Sequence, residues 1–182
     1  MDELIDILTA DGKPTGTTAM KTEAHRMGLF HPTVHIWFYT KEGKILLQKR
    51  AKNKDTHPGL WDVSVAGHIG AGEQILDSAL REIDEEIGLS ISEVALQKIG
   101  IFKSVQKHSE TLIDCEFHHT FLSELKVPLE NLSKQQSEVD DLKLLSINQF
   151  ESELHHLEKT KIYVPHSENY YATILAKIKK LL

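Results

Sequence analysis

The chain has 182 residues, 40% apolar and 26% charged, with a formal net charge of −6. That length buries a real core, and the balance is that of a soluble globular protein forming one domain over residues 1–182. The acidic charge excludes a non-specific nucleic-acid binder, and no run nears the ~18 apolar residues of a membrane span.

Cys115 is the only cysteine, so no internal disulfide forms and a cytoplasmic location is expected. The start, MDELIDIL, is acidic where a secretory signal is basic. Glu3 to Leu8 reads as a short strand closed by the turn residues Asp11 to Pro14. Lys21 to Met27 reads as a short helix, and residues 1–30 as an N-terminal extension. Thr33 to Thr40 is strongly strand-like, with Val34, Ile36 and Phe38 on one face and Thr33, His35, Trp37 and Tyr39 on the other. Lys41 to Gly43 turns the chain into a second strand, Lys44 to Arg50, completing a hairpin. A basic loop, RAKNKDTHPG, leads to a strand over Leu60 to Ala66.

The stretch 67–89, GHIGAGEQILDSALREIDEEIGL, organises the rest. From Gln74 onward, Leu76, Ala79, Leu80, Ile83 and Ile87 recur at helical spacing and give one stripe for a core. Glu82, Glu85 and Glu86 project from one neighbouring patch of that helix. Carboxylates held so close repel one another, and at least one takes a raised pKa when no cation is present. An oxygen-only cluster of this kind suits Mg²⁺ or Mn²⁺. Arg81 lies two turns beyond Glu73 and can reach back to pair with it. Gly67 and Gly70 to Gly72 form a loop whose backbone approaches a metal or phosphate closely at the positive end of the helix.

After the helix, two long strands are expected near Ala95 to Val105 and Thr111 to Leu122. Val127 to Ser137 reads as a loop, Val139 to Leu145 as a strand and Ile147 to Leu157 as a helix. Ser167 caps a final helix within 166–182, striped by Tyr171, Ile174, Leu175, Ile178 and Leu181. On the strand TLIDCEFHHTF, Ile113, Cys115, Phe117 and Phe121 share a core-like face, while Asp114, Glu116 and His118 share the other. That second face is either solvated surface or part of a metal site. His35 reads as a hydrogen-bonded core histidine. His68, beside Gly67, has better reason to touch metal or substrate. Arg50, Lys52 and Lys54 are solvated cations or diphosphate ligands. The pairs His118-His119 and His155-His156 read as surface, and Trp37, Tyr39 and Trp61 as core rather than as a base-stacking platform.

Nine fixed letters in 67–89 match the signature G-x5-E-x7-R-E-U-x-E-E-x-G-U, and the stretch closely resembles the Nudix hydrolases. A chance match in a chain this long is on the order of one in 10⁷ at average residue frequencies. The resemblance implies an α/β/α sandwich with a mixed sheet and metal-dependent cleavage of a diphosphate bridge in a small molecule. It places Glu85 and Glu86 as principal Mg²⁺ or Mn²⁺ ligands, Glu82 as a further ligand or the general base, and the Gly67 carbonyl as a weak ligand. Glu116 and Glu138 are the other candidates for the base. Glu73 with Arg81 becomes a structural brace. Many members are dimers, so a homodimer is expected.

The run from Gly28 to Glu73, with its VHIW strand, R-x3-K loop, PG-x-W and A-G-H, is similar to the isopentenyl-diphosphate isomerase branch of that superfamily. There, the positions matching His35, His68, Asp114 and Glu116 help hold a metal, and those matching Arg50 and Lys54 bind diphosphate. The isomerase cysteine falls at Ala66 here, and true isomerases degrade the signature that this chain keeps whole. Both departures point to an isomerase-like hydrolase of an X-linked diphosphate. The alternatives are an isopentenyl-diphosphate isomerase and a non-catalytic diphosphate sensor.

Overall fold

The computed structural model describes residues 2–182. A small antiparallel hairpin, β1 (Leu4–Leu8) and β2 (Pro14–Met20), precedes α1 (Lys21–Met27). The main sheet comprises β3 (His31–Tyr39), β4 (Lys44–Arg50), β5 (Trp61–Asp62), β6 (Val65–His68), β7 (Gln97–Ser109), β8 (Leu112–Glu124) and β9 (Val139–Ser146). Its order is β5-β4-β3-β8-β7, with β6 also on β3 and β9 on β4. The β3–β8 pair is parallel and the other pairs are antiparallel, so the sheet is mixed.

Alternation along β3 decides the layering. Val34, Ile36 and Phe38 face α2 (Ile75–Ile87), packing with Ala79, Ile83 and Ile87. Trp37 faces α3 (Ile147–Leu154) and α4 (Glu168–Lys179), packing with Phe150, Tyr170 and Ile174. Burying each such side chain stabilises the fold by about 1.5–3 kcal/mol. The result is an α/β/α sandwich, with the N-terminal hairpin and α1 closing one end around Ile5 and Ala24.

Helix α2 stops at Gly88, whose left-handed φ of 63° lets its N–H cap the carbonyl of Asp84. Ser167 caps α4 by accepting from the Tyr170 N–H, and Ser146 caps α3 from Gln149. Three sequence expectations change. The strand over Leu60 to Ala66 breaks into β5 and β6, because its halves pair with different neighbours, β4 and β3. Helix α3 ends at Leu154 rather than Leu157. The exposed threonine-rich β2 (Pro14–Met20) occupies a stretch to which the sequence assigns no element beyond the turn that ends at Pro14. Among the described residues, no helix is long and apolar enough to cross a membrane.

Candidate active site

The signature acids sit where α2 meets the split between β4 and β6. Glu86 is buried and accepts from Gln48 Nε2 at 2.9 Å and the Ala66 N–H at 3.1 Å. Glu82 is buried against Gly67, and a Cβ at that glycine would overlap its carboxylate. The close approach demands glycine there on steric grounds. Burial raises Glu82 to about 7 and Glu86 to about 8, with mutual repulsion a smaller contribution. The raised pKa expected from crowding is present, but desolvation is its main cause. Glu85 is the exposed member of the three.

Arg81 ties these groups together. Its Nε and Nη2 each donate to Glu73 at 3.0 Å, Nη1 donates to Glu82 at 2.7 Å and Glu85 at 3.2 Å, and Nη2 also reaches the His68 carbonyl at 3.1 Å. The Arg81 hydrogen bond holds Glu73 down at about 2. Glu73 also accepts the Gly70 N–H at 3.0 Å, fixing the loop to the helix.

Across β6 from these acids lies a cleft of about 310 Å³. Gly67, Ala66, His68, His35, Arg50, Lys54, Asp114 and Glu116 all line it. Arg50 is already engaged: its fork donates to the Thr56 carbonyl at 3.0 Å, Thr56 Oγ1 at 3.1 Å and Asp62 at 3.1 Å. Lys54 pairs with Glu138. Trp37 is fully buried beneath α4, and Trp61 lies under the Lys143 ammonium at 4.0 Å, so neither lines the cleft.

At one wall of the cleft His25, His68 and Glu116 meet the fully buried His31 behind them, and the donor atoms of all four lie within 4.8 Å of one another. Four elements supply them: α1, the start of β3, the end of β6 and the middle of β8. The sheet register explains the convergence, because His31 lies beside Glu116 in the parallel pair and Thr33 beside His68 in the antiparallel one. His31 Nδ1 donates to the Leu29 carbonyl at 2.9 Å, which leaves Nε2 facing Glu116 at 3.5 Å. The His25 and His68 Nε2 atoms face each other at 3.3 Å. Burial opposes charge on His31, yet the Glu116 carboxylate beside it carries its pKa above the ordinary value. His25 and His68 are pushed down by burial.

His25 and His31 escaped the sequence reading, which placed His35 in this role by resemblance. His35 stands outside the group, with Nδ1 on the Tyr170 hydroxyl at 2.8 Å and its ring stacked on His118 at 3.9 Å. Asp114 is adjacent, 3.9 Å from His25 and accepting His108 at 2.9 Å. His118, read as surface, is buried because β8 lies between β3 and β7 and this face of it lies under the cleft.

The sequence pattern of the NUDIX domain matches residues 29–164. The chain is 35% identical over 172 residues to Nudix hydrolase 3 of Arabidopsis thaliana, covering 92% of this chain and 22% of that protein. It is 37% identical over 151 residues to an uncharacterized Nudix hydrolase of Clostridium acetobutylicum, covering 81% of this chain and 72% of the other. An isopentenyl-diphosphate Delta-isomerase of Serratia proteamaculans is 35% identical over 122 residues, covering 67% of this chain and 66% of the other. The fold is similar to a crystal structure from Deinococcus radiodurans, with a TM-score of 0.66, 18% identity and coverage of 82% and 87%. It is also similar to a MutT protein of Methanosarcina mazei, with a TM-score of 0.62, 16% identity and coverage of 83% and 96%. The chain belongs to the Nudix hydrolase family, with relatives among both its hydrolases and its isopentenyl-diphosphate isomerases.

Proposed function

We propose that this chain is a divalent-metal-dependent hydrolase that splits the diphosphate bridge of a small molecule, a nucleoside diphosphate linked to X or a related organic diphosphate. The observation that carries this reading is the pair of acids, Glu82 and Glu86, buried against the strand that lines the cleft and holding protons to about 7 and about 8. Buried acids with raised pKa gain most from a nearby cation, and their oxygens suit Mg²⁺ or Mn²⁺. Glu82, Glu85, Glu86 and the Gly67 carbonyl would hold the ion. Once bound, it would supply charge neutralisation on the diphosphate and acidification of water.

The remaining work falls to the chain itself. Glu82, where it does not itself ligate the ion, is suited by its place beside Gly67 to accept the proton of an attacking water. Arg81 orients Glu82 and Glu85 and is itself held by Glu73. Lys54 and Arg50 line the cleft and would meet phosphate oxygens by turning from their present partners, Glu138 and Asp62.

The test is phosphate or nucleotide release from a panel of nucleoside and non-nucleoside diphosphates, with Mg²⁺ or Mn²⁺. Metal-stimulated turnover, lowered at least 100-fold in Glu85→Gln and Glu86→Gln, is expected on the scale of losing transition-state charge stabilisation. Tight binding of a diphosphate with no turnover by pure protein favours a sensor instead.

A second reading rests on the cluster of His25, His31, His68 and Glu116. Its mixed nitrogen and oxygen donors suit Mn²⁺ or Zn²⁺, and the buried His31 Nε2 has no hydrogen-bond partner among the described residues. Through the resemblance, that cluster favours an isomerase. Ala66 opposes it, because the cleft has no thiol at the position where the isomerases carry theirs.

A further inference from the structure

A second recess of about 220 Å³ opens between the middle of β7 and the start of α4. It shares Gln106, His118 and His166 with the cleft. The hydrolytic reading uses none of these three, yet each is held in a defined hydrogen-bonding state.

His166 is almost wholly buried, and its Nε2 donates to Asp62 Oδ1 at 2.8 Å. Asp62 also accepts the Val63 N–H at 2.8 Å and Arg50 Nη1 at 3.1 Å. Burial works against charge on Asp62, but His166 and Arg50 more than reverse this and hold it far below the ordinary carboxylate range. A carboxylate this committed fixes the imidazole with Nε2–H inward, which leaves Nδ1 as the ring's other polar atom. His118 Nδ1 is bonded to Thr33 Oγ1 at 2.8 Å, and its Nε2 is buried without a hydrogen-bond partner among the described residues. Gln106 Oε1 is bonded to His57 Nε2 at 2.7 Å, which leaves its amide N–H groups as donors.

The junction of the two recesses therefore presents the Gln106 amide donors and the polar edge of His166, with the unanswered His118 Nε2 buried just behind, where an apolar chain would leave them unsatisfied. Covering such groups with hydrocarbon carries the full desolvation penalty, whereas a ligand hydroxyl or N–H satisfies them. Phe102, half-buried with its ring edge-on to Tyr170 at 4.9 Å, lines the recess beyond.

We propose that Gln106, His118 and His166 form a specificity subsite that hydrogen-bonds a polar, hydroxyl- or N–H-bearing X group, with Asp62 as the positioning residue for His166. This rests on the hydrolytic reading above. It makes the enzyme select against prenyl diphosphates even though its cleft resembles theirs.

The test compares ADP-ribose with isopentenyl diphosphate as substrates of the full chain, and inorganic pyrophosphate as a calorimetric probe of the diphosphate end. The wild type is expected to prefer ADP-ribose by at least tenfold in kcat/KM. Gln106→Leu and His166→Phe are expected to lower that value about tenfold, mostly through KM, and to leave isopentenyl diphosphate and pyrophosphate unchanged. Asp62→Asn, which reverses the hydrogen bond to His166 and also loosens Arg50, raises KM for ADP-ribose more than for isopentenyl diphosphate. Gln106→Leu lies on a strand surface and guards against misfolding in the buried variants. A wild-type preference for isopentenyl diphosphate, or an equal loss on both substrates, overturns the proposal. If nothing is turned over but ADP-ribose binding still weakens in the variants, the hydrolase reading fails and the subsite stands.

Discussion

In metal-free protein, replacing Glu86 by Gln should stabilise the fold at neutral pH. Glu86 has a pKa of about 8 in the folded chain, against an ordinary 4.5, because burial disfavours its charge. Below pH 4.5 both folded and unfolded chains carry the proton, and the group contributes nothing. Above it the unfolded chain releases the proton while the folded chain keeps it, so stability falls as pH rises toward 8. At about 1.4 kcal/mol per pH unit, the penalty at pH 7 is roughly 3 kcal/mol. Gln has no proton to retain and can still accept from Gln48 Nε2 and the Ala66 N–H. The melting temperature should rise by roughly 6–12 °C, at about 2–4 °C per kcal/mol for a chain of this size. Denaturant unfolding in chelator, from pH 5 to pH 8, measures this directly. Glu82, at about 7, adds a penalty of the same sign, and the two facing acids do not sum independently. A wild-type stability that is flat or rising through this window, or a variant less stable than wild type at pH 7, refutes the reasoning.

Three further outcomes follow from the geometry. Gly67→Ala places a methyl group on the Glu82 carboxylate, so it should cost about 1–3 kcal/mol of stability and lose metal-stimulated turnover together, as read by unfolding and phosphate release. Arg81→Ala strands Glu73 and loosens Glu82, with an expected loss of about 1–3 kcal/mol in denaturant unfolding; Arg81→Lys should recover less than half, since a point charge cannot fork. Wild-type protein incubated with isopentenyl diphosphate in heavy water should incorporate no deuterium, because Ala66 supplies no thiol, and mass spectrometry reads the result.

Local patterns carried most of the architecture. The alternation of Val34, Ile36 and Phe38 against Trp37 and Tyr39 separates the two cores as it does in the sheet, and the stripe through Ala79, Ile83 and Ile87 packs α2. The acids at 82, 85 and 86 are legible because helical spacing alone makes them neighbours, whereas Glu73 precedes the helix and meets Arg81 because the loop folds back through its Gly70 hydrogen bond. What was illegible depends on strand register. His31 meets His68 and Glu116 only because β3 pairs in parallel with β8 and antiparallel with β6, and His25 joins them through the packing of α1 on β8, which nothing local to KTEAHRM signals. Asp62 and His166 lie 104 residues apart and meet through the docking of α4. Strand β2 carries a signal, its β-branched Thr15, Thr17 and Thr18, but it lacks the apolar alternation of a half-buried strand, and the turn residues Asp11 to Pro14 before it read as the end of an element.

The central claim is that Glu82, Glu85 and Glu86 bind a divalent ion that hydrolysis requires. Its most direct test is equilibrium Mn²⁺ binding, followed by electron paramagnetic resonance, in wild type and in Glu86→Gln, with diphosphate hydrolysis measured on the same samples. The account predicts that the variant loses at least one Mn²⁺ site and, with it, hydrolysis. Unchanged Mn²⁺ binding and unchanged hydrolysis in Glu86→Gln would contradict it.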